Sequence, residues 1–502
     1  MNSFFDGLAL IADPTIIYLL VIGVLIGLVI GALPGMTDPM ALGLAIPFTF
    51  GMEPIAAILL LLAIHFGALY GGTITAVLIN TPGTPAAAAT AIDGYPLTRK
   101  GQSKKALQIA SFSAFIGGLI SAISLIIFSP ILAKFALKFG PQEYFALGVF
   151  GLSVVAGVAG KSLTKAFIAA ALGVFVSTIG SDPLFGAERF TFGSYFLYDG
   201  IDLVTSLIGL YALSEIFNQF YFSKKNRYVK FDRTVLKPSG EGLTLSETKK
   251  SLRSIIKGGL IGVGVGALPG TGAPISAFMS YGEAVRTSKT PEKFGKGELE
   301  GVAASESGSV GTESAAMIPL LTLGIPGDVA MAILLGTFML HGISFGPDLF
   351  VKSGDIIYAI YIGIIILLIL VFLFSWFGSS FIAKLVLIPN HFLYPIICVL
   401  IVTGTFTLMN DIFNVWIAII FGILGFIMNK FDYPVAPLLL GIILGPIIEH
   451  NFLLSMSATT GDITTFVTRP LSGGILLLAL ISTIFTIRAQ RRISKRLSMD
   501  LE

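Results

Sequence analysis

The pentapeptide Gly-Ala-Leu-Pro-Gly occurs twice, at Gly31 to Gly35 and at Gly266 to Gly270. A second Pro-Gly break follows each copy at a similar distance: Asn80-Thr-Pro-Gly-Thr-Pro85 after the first, Gly324-Ile-Pro-Gly-Asp328 after the second. The residues around all four breaks are apolar enough to lie in lipid. Backbone broken at membrane depth is tolerated only where it is buried in protein or lines a cavity. Interruptions at corresponding positions of two halves therefore mark a duplicated membrane protein, and they are the best pointer in a sequence to a transporter's binding site.

Composition excludes a soluble surface. The chain is 54% apolar and 12% charged with a mean hydropathy of +0.89, where a soluble domain carries about 25% charged residues. Its 57 glycines suit a polytopic bundle in which small residues let helices approach closely. Cys398 is the only cysteine, so no intrachain disulfide forms. His65, His341, His391 and His450 lack the clustering of a zinc site, so neither a metal nor any other cofactor is expected, apart from the option of bound Na⁺. The first 13 residues lack the basic region of a cleaved signal peptide and are read as retained.

The charges set the topology. No Lys or Arg precedes Arg99, while Lys224 to Lys257 holds ten and Arg488 to Arg496 holds five. The positive-inside rule puts both segments in the cytoplasm. With about 20 residues per spanning helix, the expected crossings of the first half are about 54 to 92 (broken at Pro82-Gly83), 107 to 128, 142 to 159, 164 to 180 and 200 to 222. Those of the second half are about 298 to 340 (broken at Pro326-Gly327), 355 to 377, 392 to 409, 412 to 428, 434 to 450 and 470 to 487. This count places the N-terminus outside and the C-terminus in the cytoplasm, with Arg189 in an outer loop as an exception.

The fold class expected is an all-α polytopic membrane protein of two inverted-topology repeats, each with a re-entrant helical hairpin and a broken transmembrane helix. The first repeat is 1–222 (hairpin 16–52), a basic linker 223–253 follows, the second repeat is 254–487 (hairpin 254–285), and 488–502 is a cytoplasmic tail. Mirrored charge in equivalent loops suggests the inversion: four bases follow the second hairpin at Arg286, Lys289, Lys293 and Lys296, whereas Glu53 and no base follows the first. A further echo, Ser-Pro-Ile-Leu-Ala-Lys at Ser129 and Ser-Ser-Phe-Ile-Ala-Lys at Ser379, suggests an interfacial arm helix in each half.

A Pro-Gly tip frees backbone N–H and C=O groups and aims helix N-termini at one locus, where carboxylate or phosphate is favoured. The substrate-binding candidates are accordingly Gly35, Thr37, Asn80, Thr81, Gly83, Thr84, Gly270, Thr271, Gly272, Gly324, Pro326 and Gly327. Kinked, merely packed helices would explain one such break, but four in paired register favour a site. Asp38, Asp328, Glu306 and Glu313 are carboxylates at membrane depth and candidates for ion coupling, as Na⁺ or proton carriers. Both Asp positions also suit helix caps, and Glu306 and Glu313, seven apart, share a helical face and suit an interhelical contact. Gly157-Val-Ala-Gly-Lys-Ser162 imitates the end of a phosphate loop, yet Val155 stands where that loop needs glycine.

At these breaks the chain resembles the large membrane (permease) subunit of the tripartite tricarboxylate transporter family. The resemblance covers nearly the whole length. It is carried by Leu33-Pro-Gly35 with Pro47-Phe-Thr-Phe-Gly51, by Tyr70-Gly-Gly72, and by the run from Asn80 to Gln102. Phe294 to Glu306, Pro319 to Gly327, Phe431 to Pro446 and Thr468-Arg-Pro470 add to it. It implies a secondary permease driven by an ion gradient, working with a small four-helix membrane subunit and a periplasmic or extracellular solute-binding protein. Asp38 and Asp328 stand where small or neutral residues are expected, and an Asn-Asn pair expected after Glu306 is replaced near Ser309-Val310. Extra carboxylates oppose a highly anionic ligand, leaving a smaller acid, an amino acid, or a site with more bound cations.

Cation-coupled uptake of a small carboxylate-bearing solute, by moving a substrate-carrying unit against a scaffold, is thus the expected function. A channel or stand-alone exporter of organic anions and an amino-acid carrier are the alternatives. No enzyme activity and no nucleic-acid partner are expected: an intramembrane protease needs a Ser-His or paired-Asp constellation, and His65 and Ser111 have no such motif around them.

Overall fold

The computed structural model describes residues 2–33, 36–158, 162–182, 184, 186–223, 238–268, 270, 272–343, 345–385 and 390–499. Two compact units divide it, Met1–Ala133 with Glu215–Gly404 and Lys134–Ser214 with Thr405–Glu502. This division cuts across the two halves of the chain, so each half contributes to both units.

The first unit contains α1 (Asn2–Ile11), α2 (Pro14–Ala32), α3 (Asp38–Ala45), α4 (Pro54–Ile79), α5 (Ala87–Arg99) and most of α6 (Ser103–Ala136). The second unit takes α7 (Pro141–Val158), α8 (Leu163–Ser177), a hairpin pairing Gly180–Ser181 antiparallel with Glu188–Arg189, and α9 (Leu203–Leu207). A π-helical turn, Ile208–Leu213, leads into α10 (Ser214–Ser223) at the return to the first unit. There the chain adds α11 (Leu245–Gly266), α12 (Gly272–Thr287), α13 (Leu299–Leu323), α14 (Val329–Leu340), α15 (Pro347–Lys352), α16 (Gly354–Leu385) and most of α17 (Asn390–Met409). It ends in the second unit with α18 (Ile412–Lys430), α19 (Val435–Ala458), α20 (Thr465–Thr468) and α21 (Pro470–Met499). By length and composition α2, α4, α6, α16, α18, α19 and α21 suit a membrane crossing. This is a polytopic, predominantly helical membrane protein.

Local chemistry accounts for the helix starts. Asp13 caps α2, its carboxylate accepting from the Thr15 N–H at 2.7 Å with Pro14 in the first turn. Thr244 and Glu247 form a reciprocal capping box on α11, and Lys105 of α6 donates to Glu247 at 2.7 Å.

Two helices form the axis of the first unit. α4 is buried from Ile55 to Leu78 and α13 from Gly301 to Thr322. They run antiparallel, because His65 meets Glu313 while Thr73, further along α4, meets Glu306, earlier on α13. Each has a glycine-lined neighbour running in its own direction. A Cβ placed on Gly67 of α4 would stand 2.6 Å from the Val24 carbonyl oxygen of α2, and one on Gly71 2.5 Å from that of Leu28. Likewise a Cβ on Gly258 of α11 would stand 2.7 Å from the Ala304 oxygen of α13, and one on Gly262 2.7 Å from that of Gly308. Small residues four apart bring backbones into contact in the absence of a hydrophobic drive between helices in lipid. The result is that α2 beside α4 and α11 beside α13 point in opposite directions.

Asp93 of α5, fully buried, ties this axis to α12. One carboxylate oxygen accepts from the Gly297 and Glu298 N–H groups ahead of α13, at 2.7 and 2.9 Å, and the other from the Tyr281 hydroxyl at 2.9 Å.

In the second unit α8 lies against α19, with Gly441 beside Ala170 and Val174, and Arg469 at the start of α21 pairs with Glu143 of α7 at 3.1 Å. Arg189, the exception to the charge pattern, is held by Glu449 and, at 3.6 Å, by Asp182.

One expectation is corrected. The Ser129 and Ser379 segments are not separate arm helices: α6 continues unbroken to Ala136 through Pro130, and α16 to Leu385. A proline removes a single ladder bond, which apolar residues on either side outweigh.

Two predictions follow from the packing. Gly262→Ala forces a methyl onto the α13 backbone and should destabilise the detergent-solubilised protein by about 1–3 kcal/mol. Gly264→Ala, two residues along α11 with nothing within 4 Å of its Cβ, should be neutral or stabilising by up to ~1 kcal/mol through helix propensity; thermal unfolding of the two variants compares them. Asp93→Ala, which leaves two backbone donors and a phenol without acceptors, should cost on the order of 3 kcal/mol, and Tyr281→Phe about 1 kcal/mol, by the same measurement.

Candidate functional site

The two broken helices end alike. α4 closes at Asn80 in the left-handed conformation (φ 54°), and the Thr81 N–H reaches back to the Thr75 carbonyl at 3.3 Å. α13 closes at Gly324 (φ 70°), and the Ile325 N–H reaches the Pro319 carbonyl at 3.3 Å. Both bonds span seven residues, one more than the 6→1 bond of a Schellman end, so each helix closes in a widened loop around a left-handed residue. Asn tolerates the left-handed region better than most side chains, so it can stand where the second copy has glycine.

Past its closure each chain folds back along its own helix. The Gly83 N–H donates to the Gly72 carbonyl at 3.3 Å, and a Cβ on Gly327 would lie 2.8 Å from that of Ala316. The return is eleven positions in both (83 less 72, 327 less 316). Helix then resumes with a side-chain acceptor three residues back: the Thr84 hydroxyl, two residues ahead of the Ala86 N-cap, accepts from the Ala87 N–H at 3.4 Å, and the Asp328 carboxylate, itself the N-cap of α14, from the Met331 N–H at 2.8 Å. Equivalent positions in the two breaks, 75 and 319, 80 and 324, 84 and 328, 87 and 331, all differ by 244.

Each Gly-Ala-Leu-Pro-Gly tip touches the break of its own half. A Cβ on Gly83 would overlap the Gly31 carbonyl oxygen, and the Gly270 N–H donates to the Gly327 carbonyl at 2.6 Å. The second tip also reaches the first break. Gly272 (φ 65°) opens α12 with its ideal Cβ position 3.8 Å from the Asp328 Cβ, while Ala273 and Ala277 of α12 cluster with Ala86 and Ala89 at the start of α5. α3 packs on α14 in the same crosswise manner. Among the candidates, Gly83, Thr84, Gly270, Gly272, Gly324, Pro326 and Gly327 thus lie on or beside the breaks and the tips packed on them. Thr37 precedes α3 with no side-chain cap bond. Asn80 is exposed at the turn and Thr81 bonds only locally, to the Ile79 carbonyl at 3.3 Å. Gly35 and Thr271 lie outside the described residues.

The four carboxylates separate into two places. At one, His65 of α4 stands between Asp38 and Glu313, its Nε2 2.7 Å from the Glu313 Oε2 and its Nδ1 3.4 Å from the Asp38 Oδ2. His65 and Glu313 are each 1% exposed, and Asp328 lies within electrostatic range of both and of Asp38. At the other, Glu306 Oε1 accepts from the Thr73 hydroxyl at 2.7 Å and the Thr90 hydroxyl at 2.6 Å, with Ser305 3.0 Å from Thr90. Seven residues of α13 separate the two, about 10 Å along the axis. Both glutamates face α4, and Glu306 is not part of the His65 cluster. Among the described residues, no three or more His, Cys, Asp or Glu side chains converge as metal ligands.

Sequence reasoning passed over His65 and Asp93. Metal spacing was the wrong criterion for His65, whose signal is its position as the one basic side chain inside the apolar helix α4. Asp93 sits within a quoted motif run and is the only carboxylate between Asn80 and Gln102.

Comparison with known proteins agrees with this architecture. The profile of the "Tripartite tricarboxylate transporter TctA family" matches residues 17–440. Two similar proteins come from Agrobacterium vitis. An uncharacterized 52.8 kDa protein in the TAR-I ttuC' 3' region is 37% identical over 481 residues, covering 95% of this chain and 93% of its own length. An uncharacterized protein in the TAR-II ttuC' 3' region is 37% identical over 238 residues, covering 46% of this chain and 96% of its own length. No solved structure matches. With a family profile spanning most of its length and a full-length relative at this identity, the chain belongs to the tripartite tricarboxylate transporter TctA family.

Proposed function

We propose that this transporter imports a carboxylate-bearing solute, held at the two breaks and the tips packed on them, and driven by a cation gradient of Na⁺ or H⁺. The observation that carries the reading is the pairing of each Gly-Ala-Leu-Pro-Gly tip with a broken helix, Gly31 with Gly83 and Gly270 with Gly327, joined across the halves by Ala273 and Ala277 packed on Ala86 and Ala89. The starts of α5, α12 and α14 meet there, and helix N-termini favour an anion.

The same geometry supports inverted repeats with hairpins entering from opposite faces: the constant offset of 244, and α2 with α4 pointing against α11 with α13. An elevator-type cycle, in which the unit holding the tips travels with its substrate, is supported by the placement of all described candidate residues in one compact unit. In this reading the protein lies in a prokaryotic inner membrane, N-terminus outside, and takes its solute from a binding protein with a small four-helix membrane subunit alongside. Asp38 just past the first tip and Asp328 at the second break favour a small acid or a zwitterion such as an amino acid over a fully ionised tricarboxylate, unless bound cations offset them.

The test is reconstitution with labelled mono-, di- and tricarboxylates and amino acids under imposed Na⁺ or H⁺ gradients. Accumulation above equilibrium is expected for one class; passive equilibration alone would mean a channel. Asp328→Asn keeps a cap acceptor and removes the charge. It should leave thermal stability within about 0.5 kcal/mol, since the two residues cap about equally well, yet lower gradient-driven uptake at least tenfold or alter its ion dependence. Uptake with unaltered Na⁺ and pH dependence would leave Asp328 only its capping role.

A further inference from the structure

Both ring nitrogens of His65 face carboxylates on other helices, Glu313 at 2.7 Å and Asp38 at 3.4 Å. A neutral imidazole has one N–H donor and one lone pair. Whichever nitrogen carries the hydrogen, the other would then aim its lone pair at an ionised carboxylate. Only two arrangements remove that repulsion: an imidazolium donating to both sides, or a neutral ring with the proton on one carboxyl. Each holds one proton more than a neutral ring between two carboxylates. The Nδ1 atom is buried and without a hydrogen-bond partner, so it is the atom poised to complete the second bond to Asp38.

The surroundings supply no other compensation. The charged groups facing His65 are Asp38 from α3, Glu313 from α13 and Asp328 from the turn before α14. Of the other helices packed on α4, α2 carries no charged side chain, the Asp93 of α5 is committed to Gly297, Glu298 and Tyr281 while Arg99 ends that helix, and α16 carries Asp355 and Lys384 only at its ends. A ring between two carboxylates, with a third in electrostatic range, is costly as separate ionised groups, since each buried ion carries a desolvation penalty of several kcal/mol.

We propose that Asp38, His65 and Glu313 form a proton-binding site, buried at His65 and Glu313 and partly open at Asp38, whose proton is the coupling ion of transport. This rests on the reading that the solute is a carboxylate held at the tips. Asp328 joins the two sites, capping α14 at the break while within range of His65. A proton on the triad lowers the negative charge facing an incoming anion, so proton and carboxylate favour each other's binding, reciprocally.

Two measurements test it. The imidazole signal of ¹⁵N-histidine-labelled protein in nanodiscs that disappears in His65→Gln should be that of a cation at neutral pH. A neutral ring there, with no protonated-carboxyl infrared band removable by Asp38→Asn or Glu313→Gln, overturns the site. In proteoliposomes with the best carboxylate of the screen, an inside-alkaline pH gradient should drive accumulation. In His65→Gln the ratio of that accumulation to substrate exchange should fall at least tenfold. The double variant His65→Gln with Glu313→Gln, which strands one carboxylate fewer, keeps the test open if the single variant fails to fold. Uptake driven by Na⁺ alone, or pH-driven accumulation unchanged in these variants, overturns the coupling while leaving carboxylate transport intact. A protein that moves no carboxylate at all contradicts the function instead, and the imidazole signal still decides the site.

Discussion

The first unit depends on two antiparallel, interrupted helices satisfying each other inside an apolar core. α13 carries two buried carboxylates, α4 a histidine, and both end in backbone breaks that lipid cannot accommodate; they resolve the problem jointly. Glu313 of one meets His65 of the other, and Glu306 meets Thr73, with Thr90 of α5 adding a second hydroxyl. Removing either partner of such a contact leaves a buried group unpaired at a cost of a few kcal/mol, which is why neighbouring helices close so tightly around them.

Glycine makes that closeness attainable. α2 lies on α4, and α11 on α13, at backbone contact distance, and each delivers a tip to the fold-back of its partner. The breaks are thus held from two sides: by the closures at Asn80 and Gly324, and by tips whose backbone reaches Gly83 and Gly327. A locus so constrained presents helix N-termini in a fixed arrangement, which electrostatic recognition of an anion requires.

Much of this was legible in the chain. The doubled pentapeptide and its paired Pro-Gly breaks marked the interrupted helices, because few local signals are as strong as Pro-Gly within an apolar run. The family was legible too, since its motifs surround those breaks. What could not be read was partnership across sequence distance. Residues 65 and 313 lie 248 apart, and nothing local to a histidine in an apolar helix says which carboxylate it will face. The contacts of Asp93 with Gly297 and Glu298, and the continuation of α6 beyond Ser129, likewise depend on what packs alongside. Hydropathy reports where a helix changes character, and it does not report whether the backbone stops.

The central claim is that the two breaks and the two tips form one substrate site. Its most direct test is an experimental structure in a lipid nanodisc with the transported carboxylate bound. The account predicts ligand density at the N-termini of α5, α12 and α14, in contact with both Thr84 and Gly272. Density confined to one break, or bound away from both, would contradict it.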